Sequence, residues 1–263
     1  MMQNNEIIER VIKLYKYNPL IQSKFVKISQ LSSYDYAIWN FLFKALQNDI
    51  RQKLFVSFSS CEIKVNLDDL KTFLYGDSAP KAWLREVRKS LKRMNNIQIE
   101  LENFELPKID DNLDDYIFFD KNTTIEKYDF LLLNLINDSA IVGKKELRCG
   151  FSKYFVFFAW YKKNYTHIDL KGYLLKSKYS QRLYEYVELV KSVSKSRNDT
   201  YYKNFCIEKS VFERIIGINS SSVAVIFQKI RIETILRELR NFYPQLDISS
   251  PKRSNYIEFS GIE

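Results

Sequence analysis

The stretch that most constrains the fold is residues 207–259, which have the order short helix, turn, long helix and β-hairpin. Gly217 is expected to end the first helix, because glycine adopts the left-handed conformation after a helix without steric cost. Three serines follow, and serine hydroxyls cap helices well. The second helix should continue to about Asn241, since Pro244 cannot extend a helix. Two strand-like segments close the stretch, at 245–249 and 256–260. The sequence predicts a helix-turn-helix followed by a wing.

The predicted long helix, residues 220–241, has two chemically different parts. Its apolar residues between 232 and 239 lie on one arc, whereas Phe227 and Ile230 lie near the opposite arc, so the N-terminal part is expected to pack differently or to bend. Recognition helices place their N-terminal residues against base edges, where Arg or Lys reads guanine and Gln reads adenine. The candidates for base contact are Ser221, Ser222, Gln228, Lys229 and Arg231. A solvated helix face is the alternative.

Charge is distributed unevenly along the chain. The formal charge is +9 over 263 residues; residues 1–150 hold 22 Lys and Arg against 21 Asp and Glu, whereas residues 151–263 hold 19 against 11. A basic excess favours a polyanionic partner, most often nucleic acid. The excess coincides with the predicted helix-turn-helix, so we expect that half to dominate DNA recognition.

Further basic residues are candidates for contact with the DNA backbone. A serine-capped helix predicted over 174–193 begins beside Lys176, Lys178 and Arg182, and a helix N-terminus with nearby cations suits a phosphate. Another predicted helix, ending near Met94, carries a basic cluster that includes Lys81, Arg85, Arg88, Lys89, Lys92 and Arg93. The wing tip adds Lys252 and Arg253. For each set the alternative is an ordinary solvated surface.

The first half of the chain shows the same order of parts as the second. A helix is predicted from Ser33 to about Asn48, and a shorter one, capped by Asn66, over residues 67–75, before the basic helix. Strands predicted at 116–119 and 128–136 would form its wing, and 151–160 fits either a strand or a helix. A duplicated unit of this kind predicts an α+β fold with two tandem winged-helix domains in a pseudo-twofold relation.

The predicted domain limits follow from this repeat. Residues 1–30 form a leader with a helix over 6–17, which packs either on the first domain or on a partner. The first domain covers residues 31–160, for dimerisation and DNA backbone contact, and the second covers residues 167–263, for the main part of DNA recognition. The polar segment 161–166 is the expected boundary.

Several functional classes lack their characteristic residues. His167 is the only histidine, which excludes paired-histidine metal nucleases, and no P-loop or nucleophile-elbow pattern is present. Cys61, Cys149 and Cys206 lie far apart in the sequence, so we expect no zinc site. We expect reduced thiols, as in a cytosolic protein. No apolar run is long enough to span a membrane. We expect no enzyme activity, cofactor, metal or membrane association; a nuclease is the alternative from another class.

Three segments resemble theta-type plasmid replication initiators, the Rep proteins that bind origin iterons. Residues 175–186, LKSKYSQRLYEY, are similar to the family signature in which a Ser-Lys-Tyr-Ser run leads into an Arg-Leu-Tyr-Glu helix. Residues 227–239, FQKIRIETILREL, resemble the family's recognition helix, and residues 31–36, LSSYDY, the opening of its first winged helix.

The resemblance implies two winged-helix domains and no catalytic residue. It implies monomers that bind double-stranded DNA repeats in adjacent major grooves, and dimers, formed through the first domain, that repress the protein's own promoter. It also implies recruitment of a host replication initiator and helicase in a bacterial cytoplasm. A winged-helix transcriptional repressor without a replication role is the alternative that the sequence leaves open.

Overall fold

A computed structural model describes residues 13–51, 62–107, 125–160, 165–251 and 254–263. The chain folds as a mixture of helices and short antiparallel sheets. Residues 6–12 of the predicted leader helix, the predicted strand at 116–119, Cys61, Lys252 and Arg253 lie outside the described residues.

In the N-terminal half the three helices predicted after residue 31 form close to their predicted limits. Helix α2 (Ser33–Arg51) starts with a reciprocal cap, since the Ser32 N–H donates to Asp35 and the Asp35 N–H donates to Ser32 Oγ. Strand β3 (Glu62–Asn66), helix α3 (Leu67–Tyr75) and helix α4 (Trp83–Met94) follow. Asn66 caps α3, as predicted, by accepting a hydrogen bond from Asp68 N.

The wing of this half differs from the prediction. The hairpin of β6 (Asp138–Val142) and β7 (Glu146–Gly150) pairs with β3 in the order β3-β7-β6. Residues 128–134, expected in the wing, instead belong to β5 (Ile125–Asn134), which pairs with β4 (Gln98–Pro107). This second sheet has the order β2-β4-β5, where β2 is Lys24–Val26. A β-hairpin is therefore inserted between α4 and the wing.

The C-terminal half repeats the order without that insertion. Helix α6 (Lys178–Ser196), capped by Ser177, is followed by β9 (Asn204–Glu208) and α7 (Lys209–Ile216). Beyond α7 lie α8 (Val223–Ile230) and α9 (Ile232–Leu239), and then β10 (Asp247–Ser249) and β11 (Tyr256–Ser260). The sheet order is β9-β11-β10, the same arrangement as β3-β7-β6.

The prediction of one long helix over 220–241 is wrong, because the chain breaks at Arg231. This residue adopts the left-handed conformation, with φ 56° and ψ 63°, and caps both α8 and α9. The apolar arc in the sequence shifts before residue 232 because the helix breaks there. Val223, Ile226 and Ile230 bury one side of α8, whereas Ile235, Leu236 and Leu239 bury a separate side of α9.

The segment predicted as a leader contributes to the body of the fold in its described part. Residues 13–17 are not the end of a helix but strand β1 (Lys13–Tyr17), which pairs antiparallel with β8 (Tyr165–Asp169). Strand β8 in turn starts within the segment expected to be a polar boundary. Helix α1 (Asn18–Gln22) and β2 connect β1 to α2.

Helix α5 (Lys153–Trp160) settles the ambiguous segment 151–160 as helical. Its Phe155 packs edge-on against Trp39 of α2 in a buried aromatic cluster. A 3₁₀ helix, Leu170–Leu174, leads from β8 to α6, so the helix predicted from residue 174 begins four residues later. In the described parts of the chain, no helix is both long and apolar enough to cross a membrane.

Candidate nucleic-acid interface

The turn between α7 and α8 is held by side chains as well as by backbone conformation. Gly217 ends α7 with φ 71°, the left-handed conformation that was predicted. One carboxylate oxygen of Glu213 accepts hydrogen bonds from Ser220 N, at 2.7 Å, and from Lys209 Nζ, at 2.8 Å. Ser222 caps α8 by accepting a bond from Val225 N. These contacts fix the start of α8 relative to α7.

The outward side of α8 carries the polar residues predicted to contact bases. Val223, Ile226 and Ile230 face the core and Val225 and Phe227 are half-buried, so the solvent-facing side of α8 is narrow. The exposed members are Ser221, Ser222, Gln228, Lys229 and, at the break, Arg231. A short helix that presents an amide and two cations on one exposed surface has the donors needed for major-groove recognition.

Helix α4 supplies a second basic surface. Val87, Ser90, Leu91 and Met94 are buried, and the opposite side presents Arg85 and Lys89, whose side chains are 72% and 52% exposed. Both lie within 4 Å of Glu86, which offsets part of their charge. Lys81, Arg88 and Lys92 are also exposed, and Lys81 lies in the turn that precedes the helix.

One member of the predicted basic cluster on α4 has another partner. The Arg93 guanidinium donates two hydrogen bonds to the carboxylate of Asp35, at 2.8 and 2.7 Å. Burial opposes the charge of Asp35, but the hydrogen bonds from Arg93 and Ser32 hold the pKa of this carboxyl below its usual value. Arg93 therefore ties α4 to the first turn of α2.

The three basic residues at the start of α6 have different environments. Lys176 is exposed, as a DNA contact requires. The Lys178 ammonium donates to the carbonyl oxygens of Ile28 and Leu31, both at 2.7 Å, so it is held against the N-terminal half. The prediction that Arg182 contacts DNA is wrong in this structure, because its side chain is completely buried.

Arg182 belongs to a buried polar cluster between α2 and α6, which we call the junction network. Glu185 lies at its centre and accepts hydrogen bonds from four side chains. Its Oε1 atom accepts from Lys16, at 2.5 Å, and Tyr173, at 2.6 Å. Its Oε2 atom accepts from Tyr36, at 2.6 Å, and Arg182, at 3.0 Å. The members of the junction network are Lys16, Tyr36, Asn40, Tyr173, Arg182 and Glu185.

Burial sets the protonation of the junction network. It lowers the pKa of the Lys16 ammonium to about 8, against the opposing attraction of Glu185. Burial also favours a neutral Glu185, but the charges of Lys16 and Arg182 hold its pKa below the usual value. The pKa values of Tyr36 and Tyr173 are raised far above their usual value by burial, so both hydroxyls remain donors. At neutral pH two cations thus surround one carboxylate.

The sequence contained a signal for the junction network that charge counting missed. Lys178, Gln181, Arg182 and Glu185 are spaced by three or four residues, so they share one side of α6. In the structure every residue from 180 to 187 is buried, so this part of α6 is enclosed on all sides. A charged stripe on a helix that is buried all round indicates internal ion pairing rather than a solvated surface.

The hairpin that follows α9 forms the predicted wing. Strands β10 and β11 pair antiparallel, with Ile248 opposite Phe259, and β11 also pairs with β9. Near the tip, Ser250 Oγ donates to the carbonyl oxygen of Tyr256 at 2.9 Å.

Comparison with known families gives one match in the N-terminal and central parts of the chain. A family model described as "Initiator Replication protein, WH1" matches residues 5–188, more than half of the 263 residues. The match extends past the predicted boundary and includes the first part of α6, with Lys178, Arg182 and Glu185. A search of curated proteins gives no match.

Proposed function

The chain belongs to the initiator replication protein family, and we propose that it initiates plasmid replication by binding repeated double-stranded DNA sites at the origin. The observation that carries the proposal is the helix-turn-helix of α7 and α8, with a fixed turn and an outward polar side. Repeated sites suit a chain with two DNA-contacting units, since each unit can occupy its own stretch of groove. The same binding at its own operator would repress its synthesis.

We propose that the chain contains two tandem winged-helix units in a pseudo-twofold relation. The proposal is supported by the shared element order and by the equivalent strand orders β3-β7-β6 and β9-β11-β10. On this assignment α4 is the counterpart of α8. The inserted β4–β5 hairpin distinguishes the first unit, to which we also assign dimerisation.

The two units have different roles in this proposal. Gln228, Lys229 and Arg231 contact base edges at one end of α8, and Ser221 and Ser222 do so at its N-terminal end, because all five are exposed. The first unit contacts phosphates through Lys81, Arg85, Arg88 and Lys89, and Lys176 adds a contact near the cap of α6. Lys252 and Arg253 remain candidates for the wing. Sequence-specific readout thus depends on α8, and affinity depends on both units.

The test is selection from a randomised duplex library with the full chain, followed by affinity measurements at several salt concentrations. Wild type should recover a defined motif, and its affinity should fall steeply with salt because phosphate contacts release counterions. Lys229→Ala with Arg231→Ala should lose about 1–3 kcal/mol per base contact and relax the motif. Arg85→Ala with Lys89→Ala should weaken all sequences alike. Recovery of no motif by wild type would overturn the proposal.

A transcriptional repressor without a replication role is the second candidate. The helix-turn-helix and wing favour it equally, because operator binding needs only these elements. We place the protein in a bacterial cytoplasm with a host replication initiator and helicase as partners, and we assign it no enzyme activity, cofactor or membrane association. Nicking of supercoiled origin DNA in the presence of a divalent metal would contradict the absence of enzyme activity.

A further inference from the structure

One side of α6 is used to hold the N-terminal half of the chain. The Arg182 guanidinium donates to the carbonyl oxygens of Ile21, at 2.8 Å, and Ser23, at 2.7 Å. Gln181 donates to the carbonyl oxygen of Ser33, and Lys178 donates to those of Ile28 and Leu31. All of these acceptors are main-chain carbonyl oxygens, so α6 fixes the path of the backbone that leads into α2.

These contacts lie between α2 and α6, the helices that support the two proposed DNA-contacting helices, α4 and α8. Helix α4 packs on α2, and Arg93 of α4 is paired with Asp35 at the start of α2. Helix α9 packs on α6, and the Glu238 carboxylate accepts a hydrogen bond from Ser177 N at the α6 cap. Helix α8 joins α9 through the single residue Arg231. Polar contacts and packing therefore connect α4 to α8 through the junction network.

The chemistry of the junction network favours one relative orientation of the two halves. Apolar surfaces tolerate small sliding movements, whereas a buried carboxylate that accepts four hydrogen bonds loses them when its donors shift. Lys16, Arg182 and Glu185 are all fully buried, so water cannot replace a lost partner without entering the junction. A changed angle between α2 and α6 would leave charges unpaired in the interior.

We propose that the junction network is a positioning device that sets the separation and angle between α4 and α8. It thereby fixes the spacing between the two blocks of DNA that one chain contacts. Tyr36, Arg182 and Glu185 are positioning residues and touch no DNA themselves. The inference rests on the proposed function, because a fixed spacing has a meaning only if both helices bind one duplex.

The experiment compares spacing preference rather than affinity alone. Motifs selected by the wild-type chain from a randomised duplex library are rebuilt with one base pair inserted or deleted between the two blocks. Binding is then measured for wild type, Tyr36→Phe and Tyr243→Phe. Tyr36→Phe keeps the ring and removes the hydroxyl that contacts Lys16, Arg182 and Glu185. Tyr243→Phe is the matched control, because it removes a tyrosine–glutamate hydrogen bond, to Glu188, within the C-terminal half.

Wild type should discriminate against the altered spacings. In Tyr36→Phe this discrimination should fall about fivefold, which corresponds to one net hydrogen bond of about 1 kcal/mol, while the selected block sequences stay the same. Tyr243→Phe should keep the wild-type ratio. Equal discrimination in all three proteins would overturn the inference while the proposed function stands; failure of wild type to select any motif would reject the proposed function itself.

Lys178→Met provides a second variant at the half-buried edge of the same surface, in case Tyr36→Phe does not fold. It removes the bonds to Ile28 and Leu31 and keeps an apolar stem. Reduced spacing discrimination would support the positioning role. A loss of affinity and a shallower salt dependence, with discrimination unchanged, would instead identify Lys178 as a phosphate contact and count against the inference.

Discussion

Replacing Glu185 with leucine should cost more stability than any surface change in this protein. The carboxylate is fully buried and accepts hydrogen bonds from Lys16, Tyr36, Tyr173 and Arg182. Its removal leaves two buried cations without a counterion, a change that costs about 3–5 kcal/mol when one partner of a buried pair is lost. Because domains are stable by only about 5–15 kcal/mol, this is a large fraction of the total.

The assay is urea unfolding followed by circular dichroism, with the midpoint and slope compared between variants. Glu100→Leu is a suitable control, since Glu100 pairs with Lys24 at 3.3 Å and the two side chains are 19% and 43% exposed, unlike the fully buried Glu185. That pair should contribute no more than about 1 kcal/mol. A loss below about 1 kcal/mol in Glu185→Leu would refute the reasoning, because it would mean that the cluster is hydrated or loosely formed.

A double variant tests whether unpaired buried cations cause the loss of stability in Glu185→Leu. Lys16→Met removes one of the two cations that Glu185→Leu leaves unpaired, so the combined protein should be more stable than the sum of the two losses predicts. Strict additivity would show that Lys16 and Glu185 do not interact in solution, contrary to their 2.5 Å contact.

Two further stability predictions concern contacts outside the junction network. Asp35 has a folded pKa below its usual 3.8, so its pairing with Arg93 stabilises the fold above that pH, and this contribution is lost as pH falls through the folded pKa. In Asp35→Asn the urea midpoint should therefore fall less steeply at acid pH than in wild type. An equally steep fall in both proteins would contradict the pairing. Gly217→Ala should cost at least about 1–2 kcal/mol, because φ is 71° and a Cβ would lie 2.6 Å from Ile28 Cγ2. Gly143→Ala, with φ 58° and nothing within 4 Å, isolates the backbone part, and equal losses at both sites would rule out the steric contribution.

The local elements were predictable where their signals are local. Asn66 and Ser177 cap the helices that follow them, and Gly217 ends α7, because caps depend on a few neighbouring atoms. The hairpin of β10 and β11 follows Pro244 as expected. These local signals are enough to predict the helix-turn-helix and its exposed polar side.

Long-range pairings were not predictable in the same way. The sequence predicts the end of a helix where strand β1 forms, because the partner strand β8 lies about 150 residues away and leaves no mark on the local pattern. The first wing is mispredicted for a similar reason, because β7 pairs with β3, which lies about 80 residues earlier in the chain, and strand register depends on the partner strand.

Most of the candidate DNA-contact residues are exposed, as such a contact requires, but not every one of them is. The exposed residues of α8 and α4 lie where the sequence placed them, although their contacts with DNA stay predictions. Arg182 was misassigned because a cation near a helix start looks the same in sequence whether it faces solvent or a buried Glu185. Only tertiary packing distinguishes the two.

The central claim is that this chain starts replication by reading its own DNA repeats through α8. The most direct measurement is the replication of a plasmid whose only origin is the gene with its flanking DNA. Wild type should maintain the plasmid; Lys229→Ala with Arg231→Ala should not, whereas the charge-matched control Lys127→Ala with Lys195→Ala should. If the variant with both Lys229 and Arg231 replaced maintains the plasmid at the wild-type level, the claim is contradicted. If the wild-type protein binds the flanking DNA but does not maintain the plasmid, the repressor function is favoured instead.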